Sequence, residues 1–204
     1  AFGFLGCMYP AIDLFSGEKE RGTIETLLST PVQRWKILIG KMLVVVLSGL
    51  TASFSALFGL FVSIEFLDLI PDPTLMAVVS KILTFPIIIK LFALLLPLTV
   101  FFAGIMIPIS VYTKSFKEAQ SLMGPLNMVI IVPLFLSLGP GMEMDHATAL
   151  MPLINVGLLT KEILAGSVEL IYFIETLFSL LFCAAIGIWF SVYWFKKENT
   201  IFRV

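Results

Sequence analysis

The sequence is poor in charge, cysteine and histidine. Charged residues make up 13% of its 204 residues, against about 25% in an ordinary soluble domain. The formal net charge of -1 offers no basic footprint for nucleic acid. The two cysteines, Cys7 and Cys183, lie in apolar runs, and His146 is the one histidine. These scarcities exclude a disulfide framework and a cysteine or histidine metal centre.

Hydrophobic residues are abundant instead. They make up 59% of the chain, and the mean hydropathy is +1.05. A helix of roughly 20 apolar residues crosses a bilayer core, so the long apolar runs predict an all-α, polytopic transmembrane helical bundle. The first run is too short for a full crossing and has no initiator methionine, and we expect it to be the tail of a longer helix in an N-terminally truncated chain. The predicted spans are about residues 1–15, 42–66, 82–112, 122–138 and 169–195.

The basic residues predict the orientation of these spans. Ten of the thirteen Lys and Arg residues lie in three places, which are segment 17–41, segment 112–121 and the tail after residue 195. Basic residues are retained on the cytoplasmic side during insertion. We therefore expect a multi-pass protein of the plasma membrane, with residue 1 outside and the C-terminus in the cytoplasm.

Segment 17–41, here called the coupling segment, is amphipathic. Its apolar residues recur at spacings of three and four, and charged residues occupy the other positions. We expect one helix along the membrane surface from Glu18 to Ser29. A second helix should begin with Thr30 as N-cap, Pro31 at the first helical position and Gln33 closing a capping box, and should run on into the following span.

Two interpretations of the coupling segment remain open. It could anchor a loop at the lipid headgroups, or it could dock a cytoplasmic partner. A lipid-binding helix would be mainly basic, whereas Glu18, Glu20 and Glu25 offset most of the Lys and Arg here, which favours a protein partner. The short connection 113–121 is either a second docking point or an ordinary loop.

Connection 139–167 predicts a re-entrant or interfacial helix on the outer face, around residues 151–164, which either gates an exit path or caps the bundle. Polar residues in and beside the spans predict a substrate path, although snorkelling side chains, a structural ion pair or interhelical hydrogen bonds would explain them equally. Small residues on one face of the 42–66 span predict close helix packing, with a dimer interface as one place for it. The substrate-path candidates are Glu65, Lys90, Asn127, Asn155 and Glu175.

Four stretches of the sequence resemble those of ABC-2 type ABC-transporter permeases, most closely the NatB-like sodium-export subgroup. The strongest is GEKERGTIETLLSTPVQRWKILIGK at 17–41, preceded by MYPAID. Agreement continues in KSFKEAQS at 114–121 with Pro133 after it, in PLINVGLLTKEILAG at 152–166, and in the ending after Trp194. The resemblance implies a single ABC-2 transmembrane domain over 1–204, and family members have a further N-terminal span, which agrees with truncation.

The resemblance also implies a function. The chain would be the permease subunit of an ATP-driven exporter, with sodium efflux as the expected activity, working as a homo- or heterodimer with a cytoplasmic ABC ATPase. The chain itself would not be an enzyme: no GxxxxGK[ST] loop occurs in it, and ATP and Mg would be bound by the partner. The coupling residues expected to contact the ATPase are Glu18, Lys19, Glu20, Arg21, Gly22, Thr23, Glu25, Leu28, Pro31, Lys114, Lys117 and Glu118.

Other functions remain as alternatives. The cargo could be a lipid, drug or peptide, because permeases with different substrates share the coupling motif. A non-transporting membrane scaffold is a further alternative. An intramembrane enzyme is disfavoured, because His146 lies in a connection and no Asp lies deep in a span.

Overall fold

The computed structural model describes residues 2–67, 85–139 and 141–196, and all regular structure in these ranges is helical. The predicted connection 68–84 and the tail after residue 196 lie outside the described residues. The predicted all-α fold is confirmed. The helices are α1 Phe2–Ile12, a π-helical turn Asp13–Gly17, α2 Glu18–Glu20, α3 Thr23–Leu28, α4 Arg34–Leu67, α5 Phe85–Tyr112, α6 Phe116–Ser137, α7 His146–Leu150, α8 Ile154–Ala165 and α9 Leu170–Lys196.

Four helices are long and apolar enough to cross a membrane. They correspond to the four longer spans predicted from the sequence. The predicted span at 1–15 is shorter, as expected, and consists of α1 and the start of the π-helical turn. The four candidate spans are Arg34–Gly59, Pro86–Tyr112, Phe116–Ser137 and Leu170–Phe195.

Helix α1 packs along α4 through small residues. A Cβ atom added to Gly49 would lie 2.3 Å from Cys7 Sγ, and one added to Gly6 would lie 2.5 Å from the Cβ of Ala52. The two backbones can approach this closely only because these positions lack side chains. The close packing predicted for this face of α4 is therefore a contact with α1 of the same chain. Gly59, further along α4, has nothing within 4 Å of its added Cβ.

Helices α5 and α9 cross at a second close contact. A Cβ added to Gly104 would lie 2.6 Å from the Cα of Gly187 and 2.7 Å from its carbonyl carbon. One turn beyond Gly187, the buried Ser191 donates a hydrogen bond from Oγ to the carbonyl oxygen of Gly104, at 2.9 Å. The crossing of α5 and α9 is therefore held by close backbone contact and by this hydrogen bond.

One end of the bundle gathers the basic connections, and we call it the basic end. The rings of Phe15, after α1, and Phe195, near the end of α9, lie 5.9 Å apart. Tyr112, at the end of α5, lies 6.1 Å from Trp194 of α9. The coupling segment, the connection between α5 and α6 and the end of α9 therefore share one end. The predicted topology requires these three segments to share one end. That the basic end faces the cytoplasm stays a prediction.

Helices α7 and α8 form a hairpin that enters the opposite end of the bundle. At its start, His146 Nδ1 lies 2.9 Å from Glu175 Oε1 of α9. At its end, the carbonyl oxygen of Leu150 accepts a hydrogen bond from Ser179 Oγ, at 2.9 Å. Helix α7 thus descends along α9, and its end lies level with Ser179, about 14 Å from the first residue of α9 at 1.5 Å per residue. The helix predicted in connection 139–167 is confirmed, and this path corresponds to the re-entrant alternative.

Candidate coupling site

The π-helical turn after α1 is held by buried hydroxyl groups. Ser16 Oγ donates to the carbonyl oxygen of Ser110 at 2.8 Å and lies 2.7 Å from Thr113 Oγ1. Ser110 Oγ donates in turn to the carbonyl oxygen of Ala11, at 2.8 Å. All three hydroxyl side chains are fully buried. The turn is therefore fastened to the end of α5, although sequence reasoning did not single out these residues.

Glu18, the first residue of α2, is tied to α4. Its carboxylate forms a salt bridge with Lys41, and both side chains are largely buried. The Lys41 ammonium also donates to the carbonyl oxygen of Leu14, at 2.6 Å, and lies over the ring of Phe15. A largely buried charge pair with further hydrogen bonds holds its two helices in one relative position.

The other two residues of α2 contact α5 and α6. The Lys19 ammonium donates to the carbonyl oxygen of Val111, near the end of α5. Glu20 Oε2 accepts a hydrogen bond from the backbone N–H of Phe116, the first residue of α6, at 2.9 Å. This N–H is one of those that a helix start leaves without a partner, and a carboxylate there is also favoured by the helix dipole.

The start of α6 brings two more predicted coupling residues into this network. Ser115 is the N-cap, and its Oγ accepts from the N–H of Glu118 at 3.2 Å. Glu118 Oε2 accepts from the N–H of Lys114 at 2.8 Å. This reciprocal arrangement resembles a capping box. Lys117 is exposed, so the predicted second docking point has Glu118 engaged within the chain and Lys117 on the surface.

The structure corrects the predicted single helix from Glu18 to Ser29. The helix is interrupted after α2, where Gly22 has a φ of +69°. An α-helix cannot continue through that conformation, which glycine adopts without steric cost. Just before the break, Arg21 forms a salt bridge with Asp13 at 2.8 Å, and this partner raises the pKa of Arg21. Helix α3 therefore begins separately at Thr23.

The predicted helix start at Thr30 is also wrong, because α4 begins at Arg34. Thr30 Oγ1 donates back to the carbonyl oxygen of Leu27 at 2.7 Å. Its hydroxyl thus satisfies the end of α3 rather than the start of α4, a choice open to any Ser or Thr between two helices. Gln33 does not close a capping box, and its Oε1 accepts from the indole N–H of Trp35 at 2.8 Å.

Helix α3 and the turn after it carry an exposed face of the coupling segment, whereas Ile24 of α3 is buried. We call Thr26, Thr30, Pro31 and Val32 the docking face. All four are exposed, and Val32 exposes 48% of its surface. Among the predicted coupling residues, Gly22, Thr23 and Pro31 are likewise exposed. The side chains of Glu25 and Leu28 lie outside the described residues.

The four substrate-path candidates whose side chains the structure describes do not meet in one place. Lys90 is exposed on α5, and Glu175 contacts His146 at the start of α7. Asn155 is fully buried and donates from Nδ2 to the carbonyl oxygen of Ala149, at 2.9 Å. Asn127 is half-buried on α6. The side chain of Glu65 lies outside the described residues.

A cavity of about 320 Å³ lies between α1, α4, α5 and α8. Its lining is mainly leucine and phenylalanine, with polar groups only from Ser53, Thr99 and Thr160. Phe2 and Gly3 of α1 form part of its wall. The cavity suits an apolar or amphipathic molecule better than a bare ion, because most of its surface cannot replace water around a charge.

Comparison with known proteins identifies the architecture. The family model described as ABC-2 family transporter protein matches residues 1–200. The chain belongs to the ABC-2 transporter family. Members of this family are the permease components of ABC transporters, which are not themselves catalytic, and this chain is accordingly an integral membrane protein with several apolar helices.

The ABC-2 chain also resembles a curated relative. It is 35% identical over 169 residues to ABC transporter permease protein NatB of Bacillus subtilis (strain 168). The match covers 80% of this chain and 42% of the relative, so the chain spans about two fifths of that protein's length. No solved structure matches the chain significantly.

Proposed function

We propose that this chain is the permease subunit of an ATP-driven exporter of the plasma membrane, and that a cytoplasmic ABC ATPase docks at the basic end. The observation that carries the proposal is the position of α2. Its three residues contact α4, α5 and α6, while the docking face lies exposed beside it. A partner that moves α3 would therefore act on three long helices at once.

The internal contacts of α2 define what the ATPase would recognise. Glu18 and Glu20 are engaged by Lys41 and by the N–H of Phe116, so their charges serve the permease itself. The docking face of Thr26, Thr30, Pro31 and Val32 is uncharged. We expect it to fit a shallow apolar cleft of the ATPase, with ATP and Mg held entirely by that partner.

Sodium is the cargo we propose, and it is supported by the similarity of the coupling segment to sodium-export permeases. The apolar cavity favours a second candidate, export of a lipid, drug or peptide, because its walls offer few ligands for an ion. A dimer of two permease chains, with the C-terminus of each in the cytoplasm, completes the proposed assembly.

Docking is tested by co-purification of the full-length protein with a candidate cytoplasmic ABC ATPase. Val32→Arg should greatly reduce the amount of ATPase recovered, because it places a charge in an apolar contact. Glu20→Gln should leave recovery near wild type and lower the stimulation of ATP hydrolysis, because it weakens a contact inside the permease. Glu143→Arg, at an exposed position on the hairpin side, is the matched control. Equal recovery with Val32→Arg and Glu143→Arg would contradict the proposed docking face.

Cargo is tested with the same complex in proteoliposomes. ATP-dependent movement of radioactive sodium is expected, and it should be abolished when the ATPase is omitted. Parallel vesicles containing a fluorescent lipid or a dye report on the second candidate. Transport of the lipid or dye without sodium movement would assign the chain to that alternative.

A further inference from the structure

The turn of the α7–α8 hairpin has an unusual backbone. Leu153, just before α8, has a φ of +76°, a conformation that costs a non-glycine residue energy and persists only where the surroundings enforce it. The hairpin turn lies level with Ser179, well inside the bundle. Non-helical backbone at that depth is tolerated where protein buries it or where it lines a polar site.

Buried oxygen atoms without a hydrogen-bond partner lie on the helices that flank this turn, α8 and α9. In the described part of the chain four such side-chain atoms occur, and all are oxygens. Two belong to fully buried residues, Asn155 of α8 and Thr176 of α9. A buried polar group left unpaired costs about 1–3 kcal/mol, and each one calls for an explanation.

Asn155 and Thr176 both lie beside the end of α7. The amide nitrogen of Asn155 donates to the carbonyl oxygen of Ala149, which leaves its Oδ1 unpaired. Ser179 donates to the next carbonyl, that of Leu150, and Thr176 lies one turn before Ser179 on the same face of α9. The two free oxygens thus belong to two different helices, α8 and α9, that both contact the end of α7.

The donor set consists of oxygen atoms only. It comprises an amide oxygen, a hydroxyl oxygen and backbone carbonyls that each retain a second lone pair. Hard cations take such ligands. An amide, a hydroxyl and backbone carbonyls are all uncharged, so the set carries no negative charge of its own. A monovalent cation fits it better than a divalent one, and interrupted helices are where transporters coordinate such ions.

We propose that the hairpin turn holds an alkali-metal cation, with Asn155 Oδ1, Thr176 Oγ1 and the carbonyl oxygens at the end of α7 as ligands. This rests on the proposed sodium cargo and gives it a location. Glu162 lies two turns beyond Asn155 on the same face of α8, and its Oε2 is also buried and unpaired. It would take the ion between the hairpin turn and the end of the bundle where α8 finishes.

The test measures sodium binding through the unfolding temperature of the purified full-length protein, with potassium chloride and choline chloride at equal ionic strength. A ligand that binds only the folded state raises this temperature with its concentration. Thr176→Val removes the hydroxyl without breaking a hydrogen bond. It should therefore leave the unfolding temperature in choline unchanged or raised, while the sodium concentration for half-maximal stabilisation rises about tenfold or more, as expected for a lost ligand to a charged group.

Ser191→Ala is the control, because Ser191 is also buried on α9 but its hydroxyl donates to the carbonyl oxygen of Gly104 at 2.9 Å. Its sodium response should equal that of the wild type. A wild-type sodium response in Thr176→Val would overturn the site and leave a buried water as the partner of these oxygens. Sodium transport that persists in Thr176→Val at the wild-type apparent affinity would do the same and leave the proposed cargo intact. Loss of sodium binding in this variant, with no sodium transport by the wild type, would support the site and refute the cargo.

Discussion

Replacing Gly104 by alanine should destabilise the contact between α5 and α9. The added Cβ would lie 2.6 Å from the Cα of Gly187 and 2.7 Å from its carbonyl carbon. Carbon atoms in ordinary contact are about 3.5–4.0 Å apart. Both clashing atoms are backbone, so no side-chain rotation can relieve them, and the helices must move apart by roughly 1 Å to restore that spacing.

The change in the free energy of unfolding caused by Gly104→Ala follows from two opposing effects. Overpacking of a close contact costs about 1–3 kcal/mol, and a backbone clash belongs at the upper end of that range. Alanine has a higher helix propensity than glycine by about 0.8–1.0 kcal/mol, which offsets part of the cost. We expect Gly104→Ala to lower the free energy of unfolding by about 2 kcal/mol. Separation of the helices would also stretch the 2.9 Å hydrogen bond from Ser191 to the Gly104 carbonyl.

The same substitution at Gly187, on the facing helix, supplies an internal comparison. A Cβ on Gly187 would lie 3.1 Å from the Cα of Gly104, so the required movement is smaller, and Gly187→Ala should cost less than Gly104→Ala. Gly59→Ala is the control, because its Cβ would meet nothing within 4 Å. Reversible unfolding in mixed detergent micelles measures all three. A Gly104→Ala protein as stable as Gly59→Ala would refute the packing argument.

Three further predictions concern polar groups. Lys41→Met should lower stability by about 2–3 kcal/mol, because it leaves the largely buried Glu18 carboxylate unpaired, and adding Glu18→Gln should recover most of the loss in the same unfolding assay. Burial raises the pKa of Glu162, so the folded state holds its proton more tightly than the unfolded state. Stability should then fall as pH rises from the ordinary Glu range through the raised value, and unfolding midpoints measured across that range should show a smaller fall in Glu162→Gln. Ser110→Ala should cost about 1–3 kcal/mol, because the Ser16 hydroxyl and amide lose a partner, whereas Ala at the exposed Ser55 should leave the midpoint unchanged.

The long helices could be predicted from the sequence because one physical requirement determines them. A run of apolar residues must be helical to satisfy its own backbone inside a bilayer, and the predicted spans 42–66 and 169–195 correspond to α4 and α9. Most of the basic residues lie in every second connection between the spans, and consecutive spans run in opposite directions, so these connections share one end of the bundle. The small residues of α4 likewise indicated a close contact, but their partner could not be read from α4 alone, since the Gly3 and Gly6 face of α1 is 40 or more positions away.

The details of the coupling segment could not be predicted in the same way. Thr30 could have capped the start of one helix or bonded to the end of another, and local sequence favours both. The sequence alone predicts that Glu18 and Glu20 contact the ATPase. Their partners within the chain, Lys41 and the N–H of Phe116, come near only when α4 and α6 are in place, so local sequence does not reveal them. The unpaired oxygen of Thr176 carries no sequence signal, since threonine is ordinary in a membrane helix.

The continuity of α1, the π-helical turn and α2 has a mechanical consequence. Together they form an uninterrupted rod from Phe2 to Glu20, about 27 Å long at 1.5 Å per residue. One end bears the contacts of α2, and Phe2 at the other end forms part of the cavity wall. A tilt of about 10° around the middle of such a rod shifts each end by roughly 2 Å, similar to the helix displacements of known switching proteins. Such a rod would carry a small displacement of α2 to the wall of the cavity at its other end.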